Sequence, residues 1–122
     1  MKLAIVAVGN KSPAWVSAGC AEYLKRMPRE LPLSVIEVKA EVRGAKSREQ
    51  LLAAERTRLL AALQGFRRLV VLDERGSDLS TLELAQRLAG WMQAGGDTAF
   101  VIGSADGVDA ALKQQADEVI RL

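Results

Sequence analysis

The feature that most constrains this chain is its alternation of short apolar runs with helical stripes. Residues 1 to 8 (MKLAIVAV), 69 to 73 (LVVLD) and 99 to 103 (AFVIG) are apolar on both alternating faces and rich in β-branched side chains. A strand reads this way when both faces of its sheet are covered. Residues 33 to 39 (LSVIEVK) and 118 to 122 (EVIRL) supply two further strands. Between them lie helix signals. Ser12 before Pro13 reads as an N-cap and a first-turn proline, with an apolar stripe running to Met27 ahead of Pro28. Ser47 with Gln50, and Ser80 with Glu83, form capping boxes. Leu52, Leu59, Leu60 and Leu63 stripe the first capped helix, which stops near Gly65; Leu84, Leu88 and Trp91 stripe the second, which ends at Gly95 and Gly96. Asp109 caps a short helix over 110 to 116. Strands alternating with helices predict an α/β fold, a mostly parallel sheet with helices on both faces. At 122 residues the chain is expected to form one domain.

Composition removes several function classes. The sequence has no histidine, the commonest zinc ligand and general base, and a single cysteine, so a metal centre and an internal disulfide are not expected. Cys20 falls at helical spacing with Val16, Tyr23, Leu24 and Met27, which predicts a buried, packing thiol. No run of 18 apolar residues occurs, and Gly9, Asn10 and Lys11 interrupt the first apolar stretch, unlike a signal peptide; the expected location is cytoplasmic, with no membrane partner. With 17 basic against 15 acidic residues the net charge is only +2, so RNA contact has to be argued from patches. The basic residues gather at Lys25, Arg26 and Arg29, at Arg43, Lys46 and Arg48, and at Arg56, Arg58, Arg67 and Arg68. Residues 41 to 48, polar and basic with Gly44, read as a long loop. Trp15 and Trp91 lie on helices, where core packing is the expectation and base stacking the alternative.

In open parallel sheets ligands bind beyond the carboxyl ends of the strands, which directs attention to residues 9 to 12, 73 to 77 and 103 to 107. FVIGSADG at 100 to 107 places Gly103 at a strand end and Gly107 before a capped helix; such glycines serve either a tight turn or a close backbone approach to a ligand. VVLDERG at 70 to 76 sets Leu72 as an apolar wall beside Asp73, Glu74 and Arg75. Neither GxGxxG nor a P-loop is present, so a Rossmann dinucleotide site or a triphosphate site is not supported.

Together MKLAIVAVGNKSPAWV at 1 to 16, EYLKRMP at 22 to 28, VVLDERG and FVIGSADGVD resemble the RlmH family, in order and spacing along the whole sequence. The resemblance implies a SPOUT methyltransferase, an α/β knot, that moves a methyl group from S-adenosyl-L-methionine to N3 of a pseudouridine in 23S rRNA. It further implies a homodimer acting on the ribosome. The family's cofactor contacts fall on Leu72, on Gly103, and on a six-residue stretch beginning at Leu122. The rest of that stretch, and the C-terminal segment that forms the knot, would lie beyond Leu122, so the sequence reads as a domain shortened at its C-terminus. Ser104 stands where the family's turn usually has a second glycine. The catalytic residue is left unassigned, because Asp73 and Glu74 at the rim could equally shape the loop. Two other readings stay open on the sequence: a shortened, inactive form of the enzyme, and a receiver-like module with Asp73 as phosphoacceptor and Ser104 as its hydroxyl partner.

Overall fold

The computed structural model describes residues 1–9 and 11–122, so Asn10 of the first candidate loop lies outside the described residues. Five strands and four helices alternate: β1 (Leu3–Val8), α1 (Ala14–Leu24), β2 (Leu33–Val38), α2 (Arg48–Ala62), β3 (Arg68–Asp78), α3 (Thr81–Ala94), β4 (Thr98–Ile102), α4 (Ala110–Gln115) and β5 (Glu118–Arg121). All neighbouring strands pair in parallel, in the order β2-β1-β4-β3-β5. The expected α/β class and parallel sheet are therefore present. A receiver-type sheet runs 2-1-3-4-5. Here β4 enters between β1 and β3, which is a different topology and removes the receiver-like reading.

Right-handed crossovers send α2 and α4 to one face of this sheet and α1 and α3 to the other. The register fixes which strand residues meet them. Ala4, Val6, Val71, Ala99 and Val101 pack with Leu59 of α2 and Leu112 of α4 in the main core. The alternate residues Val70, Leu72, Phe100 and Ile120 pack with Leu84, Leu88 and Trp91 of α3. Trp91 is buried as expected, with its ring centroid 5.9 Å from that of Phe100. The Arg68 guanidinium stacks over it at 5.6 Å and donates to Thr98 Oγ1 at 2.9 Å, which makes this basic residue part of the core wall.

Both capping boxes form. The Gln50 and Glu83 amides donate to Ser47 Oγ and Ser80 Oγ at 3.2 and 3.1 Å, and each box's reciprocal bond measures 3.0 Å. The entry to α1 departs from the expected one. Pro13, with ψ at 153°, is itself the cap residue, its carbonyl accepting from the Val16 and Ser17 amides, and among the described residues no side chain caps the helix. Regular helix stops at Leu24, and isolated turns carry the chain to Met27.

Cys20 corrects a second expectation: the thiol is exposed, and no residue of α1 is buried. Trp15, at 78% exposure, is likewise not a core residue, and Tyr23 is 69% exposed with Arg26 over its ring at 5.2 Å. An apolar stripe specifies one side of a helix but not the presence of a second layer over it. Here α1 leans over β1 and β2 and leaves an open apolar groove of about 340 Å³ lined by Ile5, Trp15, Val16, Cys20, Tyr23 and Val35 among others.

Candidate active site

The sheet order creates the site. The connections leaving β3 and β4 run to opposite faces, as do those leaving β1 and β4, so both pairs of carboxyl ends part into crevices. The first crevice is a cleft of about 520 Å³ lined by residues 72–75 within β3, residues 102–108 from the last residue of β4 onward, Arg48 and Lys113. The second, of about 260 Å³, lies beyond β1 between Val8, Gly9, Glu41, Arg43 and Glu55. Ser104, Ala105 and Asp106 line both crevices and so form their common wall.

Leu72 and Gly103 both line the larger cleft. Leu72 is the register partner of Ile102, so the two side chains stand together on one face at the strand ends. Ile102 is 41% exposed, unusual for the last residue of a central strand, and with Leu72 it gives an otherwise polar cleft an apolar floor. Leu122, the third residue implied by the resemblance, does not line this cleft; it follows β5 and is exposed.

Gly103 is required by its own loop. A Cβ there would sit 2.3 Å from the Gly107 carbonyl oxygen and 2.7 Å from Val108 Cγ2. Gly107, at φ +92°, closes the turn by donating its amide to the Ser104 carbonyl at 2.9 Å. Of the two uses of glycine weighed from the sequence, the tight turn is thus the one these contacts demand. A similar constraint sits across the cleft. Strand β3 loops out after Leu72 and rejoins at Ser77, both of which pair with Ile120. The neck of that loop is Gly76, where a Cβ would lie 2.6 Å from the Ile120 backbone. The loop itself is held by Asp73, which accepts from the Arg75 amide at 3.1 Å and pairs with Lys113 at 3.3 Å. Asp73 is therefore occupied as a loop anchor, and Ser104 does not face it.

Ser104 donates instead to Glu55 Oε1 at 2.8 Å. Glu55 is 2% exposed and is the buried carboxylate among the described residues. Its signal in the sequence was an acid inside the apolar stripe of α2, at helical spacing from Leu51, Leu52 and Leu59. The basic residues of the loop before α2 and of α2 itself are equally committed. Arg43 pairs with the Asp106 carboxylate, Arg48 donates to the Asp106 carbonyl at 2.7 Å, and Arg56 meets Asp109 at 3.0 Å. Arg58 and Lys46 reach Glu41 at 3.1 and 4.0 Å. The Arg43 guanidinium is held above its ordinary range chiefly by its hydrogen bond to Asp106 and by that carboxylate's charge. Much of the positive charge that suggested an RNA patch thus neutralises acids within the protein. Among the described residues no group of three or more His, Cys, Asp or Glu side chains could hold a metal, and no helix is long and apolar enough to cross a membrane.

Comparison with known proteins agrees with this architecture. The family described as "Predicted SPOUT methyltransferase" matches residues 1–122. The whole chain is 62% identical to the ribosomal RNA large subunit methyltransferase H of Dechloromonas aromatica, over 78% of that protein's length. The protein of the same name from Burkholderia lata is 54% identical over 79% of its length, and that of Burkholderia vietnamiensis 53% identical over 79%. With this agreement along all of its length, the chain belongs to the SPOUT methyltransferases, in the RlmH family.

Proposed function

We propose that this protein methylates large-subunit ribosomal RNA, using S-adenosyl-L-methionine as donor and N3 of a pseudouridine in 23S rRNA as acceptor. The relatives at 62% and 54% identity carry the ribosomal RNA large subunit methyltransferase name, and the chain's membership of their family supports the same class of reaction. The observation that carries the reading is the pairing of half-buried Leu72 with exposed Ile102 at the floor of a polar cleft. A donor with a flat adenine at one end and a charged amino acid at the other fits such a mixed lining. Leu72 and Ile102 would take the apolar ring, and the backbone groups of residues 103 to 107 would take polar edges. We assign a third contact to Leu122, which stands beyond β5, at the same end of the sheet.

When bound, the donor supplies an electrophilic methyl group on a sulfonium. The chain's own contribution is positional: two glycine-necked loops, fixed by the Asp73–Lys113 pair and by the Ser104–Gly107 turn, keep the cleft open between β3 and β4. Asp73 is taken up by Lys113 and the Arg75 amide, and we assign no residue as the base. We further infer a cytoplasmic homodimer, supported by the open apolar groove beside α1, where Trp15 and Tyr23 are available to a second copy.

The test is direct. Titration with S-adenosyl-L-methionine should show saturable binding that Leu72→Asp weakens at least about 10-fold, since a carboxylate replaces an apolar wall. Ribosomes lacking the modification should accept labelled methyl groups in 23S rRNA. A folded protein that takes up no donor and labels no rRNA would overturn the reading.

A further inference from the structure

A carboxylate buried in a protein is stabilised only if its lone pairs are occupied. Glu55 meets this condition with partners from two different segments. Oε1 accepts the Ser104 hydroxyl at 2.8 Å, and Oε2 accepts the Glu41 amide at 3.1 Å. Neither partner belongs to α2, so one side chain joins the 39–47 connection to the loop after β4. Three further ties run alongside it. They join Arg43 to the Asp106 carboxylate, Arg48 to the Asp106 carbonyl, and Arg56 to Asp109. These arginines are a third or more exposed, and exposed ion pairs hold weakly. Of these ties, the Glu55 bridge is the one centred on a buried side chain, 2% exposed. Ser104, the residue it grips, lies in the wall shared by the two crevices.

We propose that Glu55, through Ser104, is a positioning residue for the methyl-donor cleft, a buried bridge that makes the 39–47 segment and the 103–107 loop move as one body. This rests on reading the larger cleft as the donor site. In the bridged state the loop's backbone groups are fixed before a ligand arrives, so binding does not have to order them. Loss of the hydroxyl frees the wall on both sides, and the effect reaches Glu41, which does not touch Ser104.

Calorimetric titration with S-adenosyl-L-methionine on the purified protein and its Ser104→Ala, Ser104→Thr and Glu55→Gln variants tests this, with amide hydrogen exchange on each. Ser104→Ala should raise Kd about 10-fold, the scale of one hydrogen bond to a charged group, and Glu55→Gln should do about the same. The double variant should be no worse than Glu55→Gln alone, as expected for two members of one bridge. Ser104→Thr, which keeps the hydroxyl, should stay within about 2-fold. In Ser104→Ala the amides of Glu41 and Gly107 should both exchange faster, a change that a purely local packing role for Ser104 would not produce. Wild-type affinity in folded Ser104→Ala, or additive losses in the double variant, would overturn the positioning role and leave the donor site standing. A wild-type protein that binds no donor would overturn the donor reading and this inference with it.

Discussion

Helices α1 and α2 lean on opposite faces of the same sheet and are held in contrasting ways. Helix α2 starts in a complete capping box and buries Leu51, Leu52, Glu55 and Leu59. Helix α1 has, among the described residues, no side-chain cap and no fully buried residue. Both carry apolar residues at helical spacing, so the pattern alone does not separate them. What separates them is the layer beyond. Around α2 the loops after β2 and β4 close over the helix through Glu55, Arg43 and Arg56, whereas around α1 the apolar groove stays open. The loops that form the common wall of the two crevices are thus cross-braced, whereas the flank beside α1 keeps an open apolar groove.

The largest test of this contrast is a pair of truncations. Leu59→Ala removes a side chain that is 2% exposed in the main core, and should cost about 2–4 kcal/mol in a denaturant titration. Trp15→Ala, at a position 78% exposed, should change the stability of the monomer by less than about 0.5 kcal/mol. A concentration-dependent loss of more than 2 kcal/mol for Trp15→Ala would mean that the α1 face is covered in solution, which would sharpen the homodimer reading.

Glycines give the next contrast. Gly103→Ala should cost about 1–3 kcal/mol, because the new methyl meets the Gly107 carbonyl oxygen and the turn must shift. Gly19 in α1 has nothing within 4 Å of its would-be Cβ, so Gly19→Ala should stabilise by about 0.4–1 kcal/mol through the unfolded chain's lost freedom. A destabilising Gly19→Ala, measured the same way, would place a close neighbour against α1.

How much was legible beforehand follows the same division. The strands, the capping boxes, the short Asp109-capped helix and the parallel sheet could be read because each depends on local periodicity or on two or three adjacent residues. Of the three positions that the resemblance singles out, Leu72 and Gly103 line one cleft and Leu122 does not. Cys20 and Trp15 were misread because an apolar stripe carries no information about what covers it. Gly76 and Glu55 were missed for another reason: their roles lie in contacts 44 and 49 positions away in sequence, with Ile120 and Ser104 respectively. The basic run at 43 to 58 was legible as charge, but the acids that neutralise it, Asp106 and Asp109, come from a distant loop. Ser104 gains a reason at the same point, since a glycine there would leave Glu55 Oε1 without its hydroxyl.

Caps supply a smaller effect. Ser47→Ala removes the hydroxyl that accepts the Gln50 amide and should cost about 1 kcal/mol, while Ser12→Ala, ahead of a helix with no side-chain cap, should be neutral within about 0.3 kcal/mol. Equal losses at the two serines would mean that α1 adopts a capped start in solution and would erase one of the two differences between the helices.

The smallest expected effect concerns the charges on α1. The Glu22 carboxyl is held below the ordinary glutamate range, first by its contact with Lys25 at 2.8 Å and then by Arg26 at 3.1 Å. A carboxyl lowered in the folded state contributes stability that is fully present above the unfolded value and is lost as pH falls through the folded one. The pH window therefore lies on the acid side of the usual glutamate range, and Glu22→Gln should flatten a slight loss of stability there. Because all three side chains face water, salt should screen the interaction. An NMR titration should accordingly find the Glu22 carboxyl below its ordinary range in dilute buffer and back near it in about 1 M salt, where the Debye length is only about 3 Å. A lowering that survives such salt would require Glu22 to be sheltered, so α1 would be covered on its charged side as well, and its contrast with α2 would reduce to the missing cap.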